Sequence, residues 1–144
     1  MSLWVGIGCQ KGVTEKIITA GIEQLLTEYQ LDVGAIAGIA TIDSKSKEPG
    51  LVGFCQLRGW ILRTFPPEIL NSLTVPHPSL FVGKQVGTNS VAEASALSAV
   101  WELSPNIPLG ELNKHLVVSK QVFHSPYPEE KGCLTLAVAR EKLQ

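Results

Sequence analysis

Two hydrophobic periods alternate along the first third of the chain. Leu3–Gly8 (Leu-Trp-Val-Gly-Ile-Gly) is a short apolar run that predicts a buried strand. A polar turn, Cys9-Gln10-Lys11-Gly12-Val13, leads into a helical pattern opened by Thr14 as N-cap, with Glu15 where the helix dipole favours a carboxylate. Ile18, Ile22, Leu25, Leu26 and Tyr29 then follow a 3.6-residue period, with Lys16, Glu23, Gln24 and Glu28 on the opposite face. A second buried run, Ile36–Ile42, is closed by Asp43. Strand, helix and strand make a βαβ unit with a right-handed crossover, so the two strands are expected to be parallel. The 8–13 and 41–48 loops then leave the sheet at one edge, which is where open α/β folds place ligands.

The pattern continues with shorter elements. Glu48-Pro49-Gly50 opens a helix that ends at Gly59, with proline at its favoured early position. Trp60–Thr64 predicts a strand, and Pro66-Pro67 starts a helix near Glu68–Leu73. Residues 74–87 read as loop with at most a short helix. Ser90–Trp101 is Ala-rich and helical, and Ser90 with Glu93 forms a capping box. Ser104–Asn113 holds Pro105, Pro108 and Gly110 and is expected to be irregular. His115–Val122 and Cys133–Arg140 read as strands around a loop, His124–Lys131, that carries Pro126 and Pro128. The expected fold is a single domain over residues 1–144: a three-layer α/β/α sandwich with a mixed, partly parallel sheet.

Composition narrows the function classes. Charged residues make up only 17% of the chain, against about 25% typically. The 12 Lys+Arg and 13 Asp+Glu are evenly spread over both halves, so no basic face is expected for nucleic acid. Val33–Ile42 is the longest nearly uncharged apolar run, broken by Gly34 and Gly38 and far short of the ~20 residues of a membrane span. Met1-Ser2-Leu3-Trp4 lacks a basic segment, so no signal peptide is expected. Cys9, Cys55 and Cys133 are odd in number and scattered, which argues for reduced thiols in the cytoplasm. His77, His115 and His124 are too far apart for a metal motif, so no metal or cofactor is expected.

Three segments carry candidate chemistry. Gly6-Ile7-Gly8-Cys9-Gln10-Lys11-Gly12 precedes a helix, and glycines there let amides face an anion. Its G-x-G-x-x-x-G spacing misses the dinucleotide fingerprint by one residue and lacks the ending of a phosphate-binding loop. A nucleotide enzyme is therefore disfavoured, and anion site and plain strand-to-helix turn remain open. Cys9 reads as a nucleophile or, with no histidine near it in sequence, as a buried thiol. The second segment, Thr41–Gly50, offers Asp43 and Glu48 as an acid/base pair or as loop dressing. The third, Val86–Glu93, sets small and hydroxylic groups before a helix, although capping alone explains Glu93.

In this order the segments resemble the C-terminal domain of the cobalamin-biosynthesis protein CbiG, which also occurs free-standing as CobE. The resemblance rests on Gly6–Gly12, on Ala40-Thr41-Ile42-Asp43 with Lys45, and on Glu48 with Gly50-Leu51. It continues through Val86–Ala94, Lys120 and Thr135–Arg140, and covers about residues 3 to 140. It implies a role in building the corrin ring. CbiG is the cobalt-precorrin-5A hydrolase that opens a δ-lactone on the macrocycle and releases acetaldehyde. Such a step needs a general base, and donors for the oxyanion that forms. By resemblance, Asp43 and Glu93 are the candidate bases. Gly8, Cys9, Lys11, Gly12, Thr41, Lys45, Gly87, Thr88, Ser90 and Lys120 would hold a corrinoid whose carboxylates rim an apolar disc. Asp43–Lys45 or Glu93–Lys120 pairing would be the purely structural alternative. Gln10 stands where the family carries a basic residue, the loop at 124–131 is longer, and the family's N-terminal region is expected to be absent. If the lactone chemistry belongs to that absent region, the chain is a binding or accessory component; the second reading is a non-catalytic carrier or assembly module for other enzymes of the pathway.

Overall fold

The computed structural model describes residues 2–73 and 90–142. Five strands form one sheet: β1 (Leu3–Cys9), β2 (Ile36–Ile42), β3 (Ile61–Phe65), β4 (Leu116–His124) and β5 (Cys133–Arg140), in the spatial order β3-β2-β1-β5-β4. β1, β2 and β3 are mutually parallel, while β5 runs antiparallel to both β1 and β4. The sheet is therefore mixed, as expected, with its parallel part on the β1–β3 side.

Helices cover both faces because β1, β2 and β5 are apolar on both sides. Leu3, Val5 and Ile7 of β1, with Leu134, Leu136 and Val138 of β5, face α1 (Glu15–Glu28) and α2 (Pro49–Arg58). Trp4, Ala40, Ile42 and Ala139 face the other way, against α3 (Pro67–Asn71) and α4 (Val91–Leu103). Two cores on opposite sides of one sheet make the three-layer arrangement. α1 begins as its sequence indicates: the Thr14 hydroxyl accepts the Ile17 N–H at 3.2 Å, and Glu15 lies in the first turn. α2 ends at Gly59 in the left-handed conformation, φ 70°, which glycine adopts without a Cβ penalty. Among α4 residues, 92–100 are all buried, in keeping with their Ala-rich, uncharged run around Glu93.

Two segments differ from expectation. The proline-rich stretch after α4 ends in 3₁₀ turns over Leu109–His115, entered through Pro108 in extended conformation. β4 starts at Leu116 and runs on through His124, because Phe123 is buried against Gly21 of α1. β4 also carries two register slips against β5, between Leu116 and Val118 and between Val118 and Gln121. The expected loop at 74–87 lies outside the described residues.

Candidate functional site

The parallel β1 and β2 bring their C-terminal ends to one edge, and the loops that follow are tied together. The β1–β2 pairing ends at Gly6 with Ala40. One residue further on, the Thr41 hydroxyl donates to the Ile7 carbonyl at 2.6 Å and is wholly buried. This bond satisfies a backbone acceptor where the strands separate. Thr41 thus sits in the interior beneath the loops.

Above it, the Gly12 N–H donates to Glu48 Oε2 at 2.8 Å, joining the β1–α1 loop to the N-terminus of α2. Gly12 has φ 86°, and the space around its Cα is open, so backbone conformation is what requires glycine there. Gly50 is needed for a different reason: a Cβ there would lie 2.3 Å from the Val13 carbonyl oxygen. Lys45 and Glu48 both act on Cys9. Burial pushes the half-buried Cys9 thiol above its ordinary value, Lys45 partly opposes that shift, and Glu48 adds to it. Gly8, Cys9, Gly12, Lys45 and Glu48 therefore form one cluster, with Lys11 and Asp43 exposed at its margin.

The first turn of α4 reaches the same end of β1. A Cβ on Gly6 would lie 1.8 Å from the Ala92 carbonyl oxygen. On Gly8 it would meet Thr135 Oγ1 at 2.4 Å and Val91 Cβ at 3.6 Å. Gly6 thus admits the α4 backbone against the strand and Gly8 leaves room for the Thr135 side chain, while the turn itself depends on Gly12. Ser90 caps α4, its hydroxyl accepting the Glu93 N–H at 3.2 Å. The Glu93 carboxylate is fully buried, and its Oε2 accepts the backbone N–H of Lys120 at 2.7 Å. Lys120 lies within the second β4 slip, where an amide leaves the ladder. Glu93 and Lys120 are therefore brought together through the main chain. Gly87 and Thr88 lie outside the described residues.

A third loop joins the cluster that sequence reasoning did not include. The Thr14 hydroxyl donates to Glu130 Oε1 at 2.7 Å, and Lys16 Nζ lies 3.8 Å from Glu130 Oε2 and 4.1 Å from the centre of the Tyr127 ring. These contacts fold the 125–132 loop against the start of α1. Lys131–Cys133 then border a cavity of about 40 Å³ whose other wall is Gln10–Val13. Lys131 and Lys11 line this one cavity, and Thr14 and Glu130 are 116 residues apart, so no local pattern announces the contact. Among the described residues, no group of three His, Cys, Asp or Glu side chains is placed to hold a metal ion.

Chemically, the edge offers three lysines, an exposed aspartate and a glycine-rich turn, above Thr41, Ser90 and Glu93, each of which is hydrogen-bonded. Such an edge suits an anionic ligand met by a few placed cations. The class so defined is a three-layer α/β domain with its candidate site where β1 and β2 end. The sequence profile described as "Cobalamin synthesis G C-terminus" matches residues 3–139, and the chain belongs to that family of cobalamin biosynthesis. It is 33% identical over 95 residues to the cobalt-precorrin-5A hydrolase of Priestia megaterium, an alignment covering 66% of this chain and 25% of that protein. It is 32% identical over 107 residues to the enzyme of the same name from Salmonella typhimurium, covering 74% and 29%. The chain thus aligns with little more than a quarter of these relatives.

Solved structures agree. The crystal structure of CobE, a protein from the cobalamin (vitamin B12) biosynthetic pathway, superposes with a TM-score of 0.71 at 25% identity, covering 95% of this chain and 93% of CobE. Cobalamin biosynthesis protein chiG from Agrobacterium tumefaciens shares the fold, with a TM-score of 0.66 at 21% identity and coverage of 98% and 99%. Among the described residues, no helix is long and apolar enough to cross a membrane.

Proposed function

We propose that the chain binds a corrinoid intermediate, a precorrin, at the edge where β1 and β2 end, and assists the opening of the cobalt-precorrin-5A lactone. The observation that carries this reading is the coupling of the first two motif loops. Gly12 is bonded to Glu48, and Lys45 acts on Cys9, so residues far apart in sequence share one surface. The hydrolase-named relatives support the choice of substrate class. Lys11, Lys45 and Lys131 would receive peripheral carboxylates, and the apolar macrocycle would lie between them.

Asp43 is the better placed of the two candidate bases. It is exposed at the end of β2, whereas Glu93 is buried and engaged with the Lys120 amide. In the proposed step Asp43 takes a proton from water, whose oxygen attacks the lactone carbonyl; the acyl C–O bond then breaks, and the proton held on Asp43 passes to the departing ring oxygen. Glu93 holds α4 against the β4 slip and keeps Ser90 at the site margin. The reaction is placed in the cytoplasm.

The decisive experiment incubates the chain with cobalt-precorrin-5A and follows acetaldehyde release and the absorption spectrum separately. Both signals together support hydrolysis, and the absence of both would overturn the reading. A spectral change without acetaldehyde supports the second reading, in which the chain carries a corrinoid for other enzymes of the pathway. What favours that alternative is that Glu93, one of the two candidate bases, is buried and bonded to the Lys120 amide.

A further inference from the structure

On the opposite face of the sheet, β3, α3 and α4 enclose a cleft of about 390 Å³, within the size range of small-molecule sites. Its walls include Phe65, Pro66, Ile69, Ser98, Trp101 and Pro105, with Thr64 at the end of β3. Trp101 is held in place by its indole N–H, which donates to the Ile107 carbonyl at 3.1 Å. The aromatic wall is therefore preorganised. Glu102 borders the cleft and is paired with Arg63 at 2.8 Å, so the charge at the mouth is already balanced.

Ser98 is the informative residue. It is 2% exposed, and among the described residues its hydroxyl has no hydrogen-bond partner. A buried hydroxyl without a partner is costly, and a partner within the cleft would remove that cost. We propose that this cleft binds an uncharged, flat aromatic molecule with a single hydrogen-bonding group directed at the Ser98 hydroxyl. Apolar walls favour the ring, the locked Trp101 supplies a stacking or edge contact, and the Arg63–Glu102 pair leaves no free charge for an ionic ligand. The site is separate from the β1–β2 edge and stands whether or not that edge binds a corrinoid.

The probe is indole, neutral and carrying one N–H donor, titrated into isotopically labelled full-length chain and followed through backbone amide resonances. Saturable shifts confined to residues 64–69 and 98–105 are expected. Ser98→Ala should weaken the affinity about fivefold, the scale of one neutral hydrogen bond. Ile69→Trp, at a partly exposed position on the rim, should abolish binding while leaving the amide spectrum of the rest of the fold intact. Shifts that do not saturate, that scatter over the surface, or that persist in Ile69→Trp would overturn the proposal. Equal affinity for the Ser98→Ala variant would overturn the assigned recognition by the hydroxyl.

Discussion

Substituting Gly6 by alanine tests whether the G-x-G motif exists for packing. The new methyl would sit 1.8 Å from the Ala92 carbonyl oxygen, 2.8 Å from its carbon and 3.0 Å from the Ala96 nitrogen. All three are backbone atoms of α4, so no side chain can swing away. The closest contact falls about 1.6 Å short of ordinary van der Waals separation, so the helix must lift off β1. Overpacking of this kind costs about 1–3 kcal/mol and sometimes more, and a backbone obstacle places Gly6→Ala at about 3 kcal/mol. In a chain of this size that lowers the melting temperature by on the order of 10 °C. Gly12→Ala is the control. Among the described residues it meets no neighbour, and its φ of 86° costs only about 1–2 kcal/mol. Urea unfolding of the two variants gives the comparison. A Gly6→Ala variant within about 0.5 kcal/mol of the parent, or more stable than Gly12→Ala, would refute the packing role.

Other residues yield further tests. Glu93→Ala should cost about 2–3 kcal/mol, since it leaves the Lys120 amide without its acceptor, while Glu93→Gln keeps an acceptor oxygen and should cost less. Chemical denaturation ranks the two, and equal losses would argue against the bond. Glu48→Ala should speed hydrogen exchange at the Gly12 amide at least tenfold, measured by exchange spectroscopy, with global stability reduced by only about 1 kcal/mol. Burial pushes the Cys55 thiol from 9.0 up to about 11. The unfolded chain therefore loses this proton first as pH rises, and stability from this group should fall between pH 9 and 11. Cys55→Ala should flatten that part of a stability–pH profile, and an unchanged slope would contradict the assignment.

The readable part of this fold is the part written in local pattern. β2 and β5 occupy Ile36–Ile42 and Cys133–Arg140 as their apolar runs indicate, and Thr14, Ser90 and Gly59 cap helices where the sequence places them. What escaped detection depends on contacts between distant residues. The slips in β4 arise from pairing with β5 and are stabilised by a carboxylate on α4, so no window within β4 contains the information. Gly6 looks like a turn glycine until Ala92 of α4 is seen against it, and Gly8 until Thr135 of β5 is. For the site, the adjacency of the 8–13 and 41–48 loops followed from parallel strands. The capture of the 125–132 loop by Thr14 and Lys16, which brings in Lys131, did not.

The proposed role is tested most directly by titrating cobalt-precorrin-5A into the chain and into the Lys11→Ala/Lys45→Ala double variant at low and high salt. The wild-type chain is expected to show a saturable spectral shift that weakens as salt rises, because the contacts are ionic and partly exposed. The double variant should bind at least tenfold more weakly and lose most of that salt dependence. Absence of a saturable shift, or equal affinity of the two proteins at both salt concentrations, would contradict a corrinoid site at the edge of β1 and β2.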